Sequence, residues 1–77
     1  MIDKFFDDHS HIQGTFLICA QYQQTRKSIF ASLVKRAGDH LKSQHSTGRI
    51  VLHSGAVFKV IKPAQLTGSN PTALLKL

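Results

Sequence analysis

Five histidines and one short acidic run are the residues of this sequence that could do chemistry. Asp7-Asp8-His9-Ser10-His11 sets two imidazoles two positions apart, with carboxylates beside them. In an extended segment that spacing turns both rings the same way, a geometry that suits a divalent transition metal. No third histidine or cysteine lies nearby in sequence, so the run reads as a polar loop and no metal site is expected. His40, His45 and His53 raise a second chemistry. Metal-free cleavage of RNA needs one imidazole as base, another as acid and a cation for the charged phosphorane. His53 with Arg49 or Lys59 supplies the residue types, but no spacing holds them together, and His40 reads as a surface residue. Hydrolysis by paired carboxylates is nearly excluded, because Asp39 is the only acid after Asp8. With no catalytic motif and no cofactor fingerprint, the expectation is a non-enzymatic protein without cofactors.

The residue types in surplus are cationic. Ten Lys and Arg face four Asp and no Glu, for a formal net charge of +6. Three of those acids fall within the first eight residues, so from His9 onward nine Lys or Arg face Asp39 alone, a net +8. Such one-sided charge favours polyanionic partners. Arg26, Lys27, Lys35, Arg36, Lys42, Arg49 and Lys59 are the candidate contacts to the phosphate backbone of DNA or RNA, and Lys62 lies close by in sequence. Arg26 and Lys27 crowd the start of a predicted helix, where cations oppose the dipole unless an anion sits there. Base readout has little support. There is no tryptophan, no zinc-finger spacing, no ribonucleoprotein-type aromatic motif and no helix-turn-helix partner. Tyr22 and Phe58 are the only strand aromatics available for stacking, and Phe58 reads as core. The expected function is therefore sequence-independent nucleic-acid binding in an accessory or regulatory role.

These residues need a scaffold, and one stretch organises it. From Thr25 to His45, Phe30, Val34, Ala37 and Leu41 recur at helical spacing, with Ile29 and Leu33 beside them. Thr25 is the expected N-cap, with Ser28 as a competitor, and Gly38 is an internal weak point. Thr15–Tyr22 alternates as a strand. Arg49–His53 and Ala56–Lys62 read as two more, joined by a two-residue Ser54-Gly55 turn that pairs Leu52 with Val57 and Ile50 with Lys59. Ile2, Phe5 and Phe6 suit a short helical turn or an arm docking by its aromatics. The fold class is α+β over residues 1–77 as a single small domain. It is a β-α-β-β unit with one long amphipathic helix across a three-stranded sheet and short flanking terminal segments. The first two strands are expected to be parallel, joined by a crossover through the helix.

The strands are apolar on both faces, and one helix covers only one of them. Cover for the other must come from the termini or from a second chain. Leu74, Leu75 and Leu77 form an apolar tail that should pack on the sheet or on a partner. This supports the alternative function, a protein-binding module or inhibitor acting through apolar sheet surface and that tail, as a homodimer or with a dedicated partner. In size, lack of motifs and preference for glutamine over glutamate the chain is similar to small proteins carried by phages and plasmids. Inhibitors that mimic DNA are acidic, and this chain is basic. One cysteine, Cys19, allows no internal disulfide and suits a reducing compartment. The longest apolar run, Phe16–Ala20, is far short of the ~20 residues of a membrane span. Asp3 stands where a signal peptide carries basic residues. The expected location is the cytoplasm, with no membrane partner.

Overall fold

A computed structural model describes residues 1–77. The elements run α1 (Ile2–His9), β1 (Gly14–Cys19), α2 (Gln23–Ala37), β2 (Leu41–His45), β3 (Arg49–Leu52), β4 (Ala56–Ile61) and β5 (Ala73–Lys76), with 3-10 turns at Gly38–His40 and Pro63–Leu66. The chain is an α+β domain in which two helices pack on one face of a five-stranded mixed sheet, ordered β2-β3-β4-β1-β5. β1 is parallel to β4 and β5, while β3 is antiparallel to β2 and β4. The radius of gyration, 11.2 Å, matches the ~11–12 Å expected for this length.

Three features depart from the expected β-α-β-β unit. First, the long helix stops at Ala37. Gly38 takes φ +52° and ψ −126°, a positive-φ conformation open to glycine that ends the helical ladder, and Leu41–His45 becomes the edge strand β2. Leu41 still packs against the core, so the apolar spacing continues although the helix does not. The buried centre of α2 is Ile29, Leu33 and Ala37, with Phe30 and Val34 half-buried on its flanks. α2 begins at Gln23 behind Tyr22, an extended cap residue without a side-chain cap bond, so neither Thr25 nor Ser28 serves. The Arg26 guanidinium instead ties this first turn back, donating from Nη1 to the Ala20 and Gln21 carbonyls at 2.8 and 2.7 Å.

Second, the β3–β4 hairpin is one residue out of the expected register. Ile50 pairs with Phe58 and Val51 with Val57, so the loop is His53-Ser54-Gly55, with Gly55 at φ +95° and its N–H on the Leu52 carbonyl. A one-residue slip exchanges the faces of a strand. Ala56, Phe58 and Val60 thereby join Ile50 and Leu52 beneath the helices, and Lys59 and Ile61 turn to the other face. Because β3 runs against β4, it also runs against β1; the strand that shares the direction of β1 after α2 is the edge strand β2.

Third, the tail adds a strand rather than covering a face. Leu75 pairs beside Ile18 and packs towards the main core, while Leu74 pairs beside Leu17 on the opposite face. β1, between β4 and β5, is buried on both sides, which is why its apolar run is continuous. Phe16, Ile18 and Ala20 enter the main core; Leu17 and Cys19 form a small cluster with Ile61, partly covered by Leu66 of the second 3-10 turn. The N-terminal segment is a second helix, α1, which continues through Asp7–His9 where the sequence reads as loop, and it docks by its aromatics. Phe6 lies 4.9 Å from Phe58 between ring centroids, and Phe5 reaches the same cluster. No helix is long and apolar enough to cross a membrane.

Candidate nucleic-acid interface

The turn from Ser46 to Gly48 connects the edge strand β2 to β3 and carries the candidate site. Its shape depends on Gly48. The residue adopts φ +98°, its N–H bonds the His45 carbonyl at 3.0 Å, and its carbonyl accepts from the Val60 N–H at 2.8 Å. A Cβ at this position would meet the Val60 carbonyl oxygen at 3.0 Å. The turn is thus pinned against β4, and a depression opens on each side of it.

The larger depression, about 470 Å³, lies between the turn and the first half of α2, lined by Gln23, Arg26, Lys27, Phe30, Ser46, Thr47, Gly48, Val60 and Lys62. The smaller, about 230 Å³, is lined by Thr47, Gly48, Arg49, Lys59, Val60, Ile61 and Gln65. Three cations stand in the first and two in the second, and no carboxylate lines either. Arg49 and Lys59 face each other across the β3–β4 pairing, on the sheet face away from the helices. The cations therefore do not form a stripe on one face; they wrap around the end of the sheet and meet at Thr47-Gly48. Arg49 Nη2 also donates to His45 Nε2 at 3.0 Å. In the larger depression the two bonds of Arg26 both use Nη1, so its charge remains at the cleft wall.

Of the seven cations singled out in the sequence, Arg26, Lys27, Arg49 and Lys59 come together here. Lys35 and Lys42 are exposed and line neither depression. Arg36 is otherwise engaged. Its Nε and Nη2 donate to the two carboxylate oxygens of Asp7 at 2.9 and 2.6 Å, and Nη1 lies 3.8 Å from Asp3 Oδ2. The hydrogen bonds from Arg36 hold the Asp7 carboxyl below its usual range, and Asp7 raises Arg36 in turn. This pair clasps α1 to α2 and spends the charge of Arg36 inside the molecule. Lys62 was not among the seven. Its signal was present: it follows the strand alternation of β4 and precedes Pro63. Ser46-Thr47-Gly48 reads in the sequence as the end of the long helix, with Gly48 as its stop or the following turn. Gly48 does take a positive φ, but the helix has already ended before Gly38 and the three residues form the β2–β3 turn.

The histidines do not assemble. His9 lies between Phe5 and Phe16, at 4.6 and 4.8 Å between centroids, and its Nδ1–H donates to the Phe5 carbonyl at 2.8 Å. It serves the aromatic cluster, whereas His11 is exposed. No group of three or more metal-ligating side chains forms. His53 sits in the β3–β4 loop, at the far end of the hairpin from Arg49 and Lys59; the histidine that does meet Arg49 is His45. The three leucines of the tail are also divided. Leu74 and Leu77 are 43% and 46% exposed, but Leu75 is half-buried against the main core. Comparison with protein families, curated proteins and solved structures finds no match for this chain.

Proposed function

We propose that this protein binds nucleic acid through phosphate contacts at the Ser46–Gly48 turn, largely without regard to sequence, in an accessory or regulatory role. The observation that carries the reading is the pair of adjoining depressions, lined by Arg26, Lys27 and Lys62 on one side and Arg49 and Lys59 on the other, with no acid in either. Five like charges around a narrow turn repel one another, and a chain of phosphates relieves that repulsion while releasing its own condensed counterions. Ser46 and Thr47 add hydroxyl donors for phosphate oxygens. The alternative, protein docking through Leu74, Leu75 and Leu77, has less surface to work with, because Leu75 is engaged in the chain's own core.

Anisotropy titrations of labelled DNA and RNA against salt test the proposal. Binding should weaken steeply between about 50 and 200 mM salt. Replacing Lys27, Lys59 and Lys62 together by Gln should reduce the slope of log affinity against log salt by roughly 2–3. No binding at micromolar protein, or binding indifferent to salt, overturns it.

A further inference from the structure

We propose that the cleft is built for single-stranded rather than duplex nucleic acid, with Tyr22 as the platform on which one base stacks. This rests on the phosphate-binding reading and goes beyond it to the form of the ligand. Two observations carry it. The first is concavity. The cations line depressions on either side of a ridge made by Thr47 and Gly48. A duplex presents its phosphates as rigid convex rails and can touch only the rims of such hollows. A single strand bends at every nucleotide and can follow the wall across the ridge.

The second is the placement of the aromatic rings. Of the five Phe and one Tyr, all five Phe are buried or half-buried, but Tyr22 is 68% exposed. It caps α2 one residue before Gln23, which lines the larger depression, and its carbonyl accepts the Arg26 N–H at 3.0 Å. Tyr22 does not itself line the depression, but it directly precedes in the chain a residue that does. An exposed ring next in sequence to a cationic cleft offers the combination that binds single strands without base readout, in which the groove holds the backbone and the ring takes the face of any base. In a duplex those faces are stacked on one another and Tyr22 has nothing to meet. Phe30, half-buried in the cleft wall, adds apolar surface beneath the strand.

The experiment is an anisotropy comparison of labelled oligomers of about twelve nucleotides: oligo-dT, oligo-U and a mixed-sequence duplex, against the full chain and its Tyr22→Ala and Tyr22→Phe variants. Circular dichroism verifies that each variant folds. Single strands should bind more tightly than the duplex. Tyr22→Ala should weaken single-strand binding at least about fivefold and leave duplex binding within about twofold, while Tyr22→Phe stays near the parent. The oligo-dT and oligo-U arms distinguish DNA from RNA as the preferred strand. Equal or tighter duplex binding, or an unchanged single-strand affinity for Tyr22→Ala, overturns the inference while leaving the phosphate-binding reading standing. Absence of binding to all three oligomers removes both.

Discussion

The two ends of α2 carry the same kinds of residue in opposite circumstances. At the C-terminal end Arg36 is held by Asp7 and Asp3, and its charge serves to fasten α1. At the N-terminal end Arg26 and Lys27 face Lys62 across a cleft without a carboxylate. Arg26 and Arg36 lie on the same fifteen-residue helix, about 15 Å apart along its axis at 1.5 Å per residue, farther than the Debye length of about 8–10 Å, so salt largely screens one cluster from the other. Three of the four acids of the sequence are gathered on α1, and α1 packs near the far end of the helix. One pole is neutralised and the other is left bare. A charge count treats these cations alike; their value for binding depends on whether an acid of the same chain reaches them first.

The contrast depends on α2 staying docked, so the largest effect should come from its buried centre. Leu33 is 1% exposed. Leu33→Asp would bury an unpaired carboxylate, at a cost of more than about 4 kcal/mol. A chain of this size has a total stability of order 4–12 kcal/mol. The variant should lose most of its cooperative melting transition by circular dichroism; a parent-like transition would show that this face of α2 is assigned wrongly.

The charge contrast itself is tested next. Lys62→Glu, in the cleft, should weaken oligonucleotide binding about tenfold at low salt. Arg36→Gln, at the clasp, should change it far less while lowering the melting temperature. Equal losses of affinity in both variants would mean that net charge alone governs binding and that the cleft has no special role.

The smallest effect concerns the clasp and pH. Asp7 has a carboxyl depressed by Arg36, so its contribution to stability is fully present above about pH 4, the unfolded carboxylate value. It is lost as pH falls through the lower folded value. Both partners are well exposed to solvent, which keeps the effect small. Asp7→Asn should lower the melting temperature by a few degrees at neutral pH, and the gap from the parent should close as the buffer is taken below pH 4. A gap that persists undiminished in acid would assign the loss to packing and not to charge.

What the sequence determined by itself was local and periodic. The continuous apolar run Phe16–Ala20, the apolar side of α2, the aromatic docking of Phe5 and Phe6 and the surplus of cations are all written in residue type and spacing. The tertiary structure decided what depends on distant partners. Leu41 fits a helical period as well as an edge strand, and Gly38 resolves the choice only because the chain after it can pair with β3. The register of the hairpin turned on whether Ala56 and Phe58 could reach the core beneath α2. Leu74, Leu75 and Leu77 look alike as a tail, but β1 offers them an edge, and strand geometry then sends Leu75 towards the main core and Leu74 to the opposite face. Lys62 joins Arg26 and Lys27 because β4 pairs with β1, which sets Ile61 beside Cys19 and Ala20 just ahead of α2, and Gly48 joins them through the bond from the Val60 N–H. Asp7 removes Arg36 only because α1 lies on α2. Proximity between residues 26, 48 and 62, or between 7 and 36, is created by folding, and no pattern along the chain encodes it.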